Sequence, residues 1–132
     1  MKVKLLEHIN LKTKNIETLA IWYENILGLK KGYRPPFGVE GIWLYADEIP
    51  MIHLLSIPKD LKCESPRMEH FCMRAEGLGD FLTTLKKEGI SYATQRVPEL
   101  RILQVYISDP DGNNMHIDFS PEEAEKLGYD GD

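Results

Sequence analysis

The chain has 132 residues, 42% of them hydrophobic and 28% charged, a length that favours one compact domain with a real core. Sixteen Lys and Arg against 21 Asp and Glu give a formal net charge of -5, which argues against a nucleic-acid partner held by bulk positive charge. Apolar runs stop at about five or six residues, far short of the ~20 that span a bilayer, so no membrane role is expected. The opening MKVKLLEHIN places charge where a signal peptide needs an apolar block, which predicts a cytoplasmic protein. Two cysteines, Cys63 and Cys72, make no disulfide framework.

Residues 3–12 alternate as a half-buried strand does, with Leu5, Ile9 and Leu11 on one face and Leu6, His8 and Asn10 on the other. After Asn15, an N-cap candidate, Ile16, Leu19, Ala20, Tyr23, Ile26 and Leu27 recur at helical spacing, and Gly28 ends the helix. Residues 29–34, 41–46 and 50–56 read as three short strands between Gly, Pro and Asp breaks. The order is β-α-β-β-β. A polar linker bounded by prolines follows over 57–66, and the same order then returns: a strand over 67–75, a helix over 78–89 ending at Gly89, and strands over 90–97, 101–108 and 113–120.

An internal duplication accounts for this repetition. His70 follows His8 by 62 residues, the same step that relates Leu78, Phe81, Leu82 and Leu85 to Ile16, Leu19, Ala20 and Tyr23, and the dipeptide Glu7-His8 recurs as Glu69-His70. Ser120-Pro121-Glu122-Glu123 opens a terminal helix with a capping-box pattern and Pro at the first helical position. The expectation is an α+β fold, a single domain over 1–132 with one module over 1–56, the linker, a second module over 67–119 and a terminal helix over 120–128. Two paired βαβββ modules form a curled mixed sheet, helices on one face, around a central metal cleft.

The main chemical signal is four histidines, His8, His53, His70 and His116, one in the first and one in the last strand of each module. Opposite them, the aliphatic face of each strand carries Leu5, Ile9 and Leu11; Ile52 and Leu54; Phe71 and Met73; or Met115, Ile117 and Phe119. The histidines therefore share the free face, and His116 follows His53 by 63 residues, nearly the offset between His8 and His70. Neutral imidazoles converging from separate strands suit a mononuclear divalent transition metal, Zn, Fe, Ni, Mn or Co, with positions left open for substrate.

These features resemble the vicinal oxygen chelate superfamily, which includes glyoxalase I, extradiol dioxygenases and fosfomycin and bleomycin resistance proteins. The resemblance runs over nearly the whole chain: EHINLKTKNIETLAIWYENILGLK, PMIHLL, MEHFCMRAEGLGDFLTTLKKEGI and VYISDPDGNNMHIDF, whose DPDGN turn is the most specific piece. It implies paired βαβββ modules and a divalent metal held at His8, His53, His70 and His116. Glyoxalase I usually has Glu at the position of His53, and most relatives have Glu at that of His116; those carboxylates include the glyoxalase base, so the lactoylglutathione reaction is put in doubt.

Asn10, Cys72, Arg74, Asn114 and Asp118 share the histidine face, joined by Trp43, Tyr45, Gln104 and Tyr106 if the middle strands keep parity. Arg74 is placed to clamp an acidic group or to pair within the fold; Asp118 to act as acid or base, or to hold a ligand histidine in its tautomer. Trp43, Tyr45 and Tyr106 suit a flat ligand, with Gln104 and Asn10 as further substrate contacts. Cys72 lacks an activator and reads as packing, and Arg34-Pro35-Pro36-Phe37 reads as a mobile rim. No phosphate loop, dinucleotide turn or nucleophile elbow is present. Two functions remain: a metal-dependent enzyme on a small oxygenated substrate, a glyoxalase-like isomerase or lyase or an Fe(II) ring-cleaving dioxygenase, or a non-catalytic protein that sequesters a small antibiotic-like molecule. Open sheet edges and the resemblance predict a homodimer.

Overall fold

A computed structural model describes residues 1–2, 4–62 and 68–129. The chain divides into two compact units, Met1–Glu64 and Ser65–Asp132. In the first unit the order is β1 (Ile9–Thr13), α1 (Ile16–Leu27), β2 (Lys30–Gly32), β3 (Gly41–Ala46) and β4 (Ile49–Ser56). The second repeats it as β5 (Phe71–Arg74), α2 (Leu78–Lys87), β6 (Ala93–Arg96), β7 (Leu103–Ser108) and β8 (Asn114–Phe119), then adds α3 (Pro121–Lys126). Each unit holds a four-stranded mixed sheet, ordered β1-β4-β3-β2 and β5-β8-β7-β6, with first and last strands parallel. The α+β class and the paired βαβββ modules are as the sequence predicts, and neither sheet closes.

The helix-facing side of the first sheet is Leu11, Leu44, Ile52 and Leu54, all buried. Against it α1 sets Ile16, Leu19, Ala20, Tyr23 and Ile26, the stripe read from the spacing, and Gly28 ends the helix in the left-handed region at φ 68. Asn15 makes no side-chain cap; its own N–H instead donates to Thr13 Oγ1 at 3.1 Å. In the second unit Leu78, Leu82 and Leu85 are buried with Leu103, Val105, Ile107, Met115, Ile117 and Phe119, and Phe81 of α2 lies 5.6 Å from the Phe119 ring.

Three sequence expectations are corrected. The first strand begins at Ile9, not residue 3, and Leu5 is 69% exposed and faces no helix. His8 and His70 therefore each stand one residue ahead of a strand, not within it. The Ser120 pattern does start a helix, Ser120 Oγ accepting the Glu123 N–H at 3.3 Å, but the Glu123 carboxylate does not complete a capping box. It reaches across to the start of α2 and accepts the N–H groups of Gly77 and Leu78 at 2.7 and 3.0 Å, tying the terminal helix to the module. Of the predicted linker, residues 63–66 lie outside those described. No helix among the described residues is long and apolar enough to cross a membrane.

Candidate metal centre

In the first unit, β4 lies between β1 and β3, so Asn10 and Trp43 flank His53 on the face away from α1. His8, just ahead of β1, lays its ring on that of His53 with centroids 3.9 Å apart and planes 14° from parallel; Trp43 covers the other face at 4.1 Å and 11°. Around this three-ring stack is a cavity of about 400 Å³ bordered by His8, Asn10, Arg34, Phe37, Trp43 and His53.

Hydrogen bonds fix both imidazoles. His8 Nδ1 meets Glu7 Oε1 at 3.1 Å, and His53 Nε2 meets the Pro50 carbonyl at 3.0 Å. A carboxylate and a carbonyl only accept, so those nitrogens carry the proton when the rings are neutral, leaving lone pairs on His8 Nε2 and His53 Nδ1. Burial lowers the pKa of His53, and the neighbouring His8 lowers it further, against the Pro50 carbonyl, which raises it. Tyr45 keeps the parity of Trp43: Gly32 pairs with Trp43, and the Tyr45 ring covers Gly32 on that same face. The β3–β4 register shifts between Leu44 and Tyr45, and Tyr45 lies over Gly32 with its hydroxyl donating to the Tyr33 carbonyl at 2.6 Å.

The second unit repeats the motif with different neighbours. Glu69 engages His70 Nδ1 as Glu7 engages His8. His116 is buried, and its Nδ1–H donates to Asp118 Oδ1 at 2.6 Å, with side chains only 7% and 13% exposed. The His70 and His116 rings are 4.8 Å apart and inclined by 49°. Tyr106 stands 5.2 Å from His116 and donates its hydroxyl to Gln104 Oε1 at 2.7 Å, while Gln104 Nε2 lies 3.4 Å from His116 Nδ1. Arg74 faces Asp118 in register and is exposed. Cys72 is opposite His116, and its Sγ, a His116 nitrogen and an Asp118 oxygen lie within 4.8 Å of one another. Partial burial and then the hydrogen bond to Asp118 push the Cys72 thiol up to about 12, so at neutral pH it is a protonated thiol.

Sequence reasoning put the four histidines, Asn10, Trp43, Gln104, Tyr106 and Asp118 on the candidate face, and within each unit the structure brings them together. It passed over Glu7 and Glu69, visible in the sequence only as a repeated dipeptide, and read Arg34 only as part of a rim. The residue types suit a divalent transition ion, each histidine having one nitrogen held by an acceptor and a lone pair on the other when neutral, and among the described residues it is Cys72, His116 and Asp118 whose possible ligand atoms cluster.

No protein-family profile and no curated protein matches the chain. Solved structures do match. A glyoxalase/bleomycin resistance protein/dioxygenase domain from Frankia sp. EAN1pec is 20% identical, covering 90% of this chain and 93% of its own, with a TM-score of 0.74. A glyoxalase family protein from Bacillus anthracis is 17% identical over 91% and 98%, at 0.73. The fosfomycin resistance protein FosX from Listeria monocytogenes is 13% identical over 92% and 98%, at 0.69. The likeness, at 13–20% identity, is one of fold: the chain folds as these glyoxalase-family, dioxygenase-domain and resistance proteins do.

Proposed function

We propose that the protein is a divalent-metal-dependent enzyme of vicinal oxygen chelate type acting on a small oxygenated substrate, with His8, His53, His70 and His116 as ligands. The observation that carries this reading is the set of four acceptors, Glu7, the Pro50 carbonyl, Glu69 and Asp118, each holding one ring nitrogen of one histidine. A bound ion, Zn, Fe, Ni, Mn or Co, supplies Lewis acidity to two neighbouring substrate oxygens. Asp118 keeps the His116 proton on Nδ1 and is the proposed acid or base for a substrate proton. Trp43 and Tyr106 present ring faces to a flat body, with Asn10, Gln104 and Arg74 as polar contacts. Tyr45, held at the edge of β2, is the least suited of the proposed contacts. Within this reading the reaction is either that of a glyoxalase-like isomerase or lyase or that of an Fe(II) ring-cleaving dioxygenase.

A second reading, a non-catalytic binding protein, is favoured by the His8–His53–Trp43 stack, which offers a flat ligand a platform without any ion. Elemental analysis of untagged protein, followed by titration with Zn, Fe, Ni, Mn and Co, separates the two. One ion per site supports the enzyme; no binding of any of the five leaves the binding protein. The enzyme reading also has the chain acting as a cytoplasmic homodimer, for which both sheets leave open edges, and light scattering at micromolar concentration checks the dimer.

A further inference from the structure

The segment between β2 and β3 carries a guanidinium that the metal reading leaves unused. Arg34 donates from Nη1 to the Val39 carbonyl at 3.0 Å, and its Cζ stands 5.0 Å above the Phe37 ring. Phe37 in turn lies 6.0 Å from Trp43, so cation, aromatic rings and the histidine pair form one continuous wall of the first unit's cavity. The guanidinium rests on Gly41. A Cβ added there would come within 2.6 Å of Arg34 Cζ and Nε and 2.7 Å of Nη2, so only glycine leaves the cradle open. Arg34 Nε is shut off from water and has no hydrogen-bond partner. The chain itself covers that Nε, so a ligand in the cavity meets the guanidinium at its Nη end, where Nη1 is held by Val39 and Nη2 has no partner among the described residues.

We propose that Arg34 is the anion-recognition residue of this site, and that the substrate or ligand carries an oxyanionic group, a carboxylate or a phosphonate, on a flat apolar body. The anion meets the unused N–H groups of Arg34, while Phe37 and Trp43 cover the body beside it. The Glu7 carboxylate also borders the cavity, and His8 Nδ1 engages it at 3.1 Å. The inference rests on the proposed function only for what the remaining substrate oxygens do; the anion pocket itself lies wholly within the first unit. It makes the Arg34–Phe37 segment a selectivity element.

The test uses the metal-free full chain and three probes of similar shape: benzoate, phenylphosphonate and neutral benzamide. Amide and side-chain NMR shifts at Arg34 Nε–H and the Trp43 indole N–H report binding. At least one anion is expected to bind about tenfold more tightly than benzamide, as a charge-assisted bond requires, and the tighter of the two anions names the group. Arg34→Gln removes the preference, and Gly41→Ala, which pushes the guanidinium off its seat but keeps its charge, weakens it. Equal binding of all three probes, or a preference surviving in Arg34→Gln, overturns the proposal. Zn titration of the same variants keeps the two readings apart. Unchanged Zn affinity with no anion preference defeats Arg34 alone, whereas an anion preference in a chain that binds no metal defeats the metal reading and leaves Arg34 standing.

Discussion

Asp118 accepts the Nδ1–H of His116 at 2.6 Å in a spot where both side chains are nearly out of solvent. That bond fixes which nitrogen of His116 is free and makes the imidazole a better electron donor. If His116 is a ligand, Asp118→Asn loses about tenfold to a hundredfold in metal affinity, the cost of removing a supporting carboxylate. His116→Ala loses at least as much. Calorimetric titration with Zn measures both, and an Asp118→Asn chain with wild-type affinity would show that Asp118 does not support a ligand.

Glu7 and Glu69 do the same for His8 and His70, so the two Glu→Gln variants are expected to be equivalent. Each lowers metal affinity without changing the stoichiometry, and because both supports act on ligands of one ion, the double variant departs from the sum of the two free energies. A variant pair in which one substitution is silent would show that only one module supplies a ligand through this dipeptide.

Of the fold, the order of elements and the duplication were legible because both depend on periodicity, which a sequence carries directly. The start of the first strand of each module was not. The alternation of Leu5 and Leu6 looks like strand, yet pairing with β4 begins only at Ile9, since a strand lasts only as long as it has a hydrogen-bonding neighbour. Parity placed Trp43 beside His53 and Tyr45 on the same face, but the extra residue of β4 opposite Tyr45 leaves no trace in apolar alternation. Which atom of Glu7 or Glu69 meets which nitrogen depends on rotamers, and the seat of Arg34 on Gly41 depends on a loop path. Neither is written in local spacing.

The lowered pKa of His53 has a sign that can be checked. In the unfolded chain its imidazole takes a proton near ~6.5, whereas in the folded chain it does so at lower pH. Between those values the unfolded state binds more protons, so the His53 contribution to stability is fully present above about 6.5 and is lost as pH falls through the folded pKa. In metal-free protein the His53 ring resonances should titrate at lower pH than an ordinary histidine. His8→Ala should move the midpoint part of the way back, since burial, the larger cause, remains. A His53 midpoint at or above that of a model imidazole contradicts this.

Cys72 is exposed, so access does not limit its reaction. Its thiol, held up to about 12, should nevertheless alkylate slowly. In a Cys63→Ser chain, iodoacetamide at pH 7 is expected to react with Cys72 at least about tenfold more slowly than with an ordinary thiol of pKa near ~8.5. A rate equal to that of the free thiol would place a thiolate beside His116 and reopen sulfur as a ligand.

The DPDGN turn makes a prediction about stability. Asp109, 5% exposed, accepts the N–H groups of Asp111 and Asn113 on Oδ1 at 3.0 and 2.9 Å and the Asn113 amide on Oδ2 at 2.7 Å. Asp109→Ala leaves three donors without that carboxylate and is expected to cost about 2–4 kcal/mol by urea unfolding. A loss below about 0.5 kcal/mol, the range of an ordinary surface change, would mean the turn holds without it.

Parallel pairing of first and last strands has a consequence for how the protein comes into being. β1 has its neighbour only once β4 exists, where Ile9 meets Ile52, and β5 waits likewise until Phe71 meets Met115. Each module is thus a loop that closes end to end, a topology of high contact order in which early collapse can form the helix and the central hairpin but not the edge that carries the histidine pair. On the ribosome, His8 emerges long before His53. The histidine pairs are therefore the last features of each module to assemble, and an ion held by them, as proposed, would meet its ligands only in a module that has already folded.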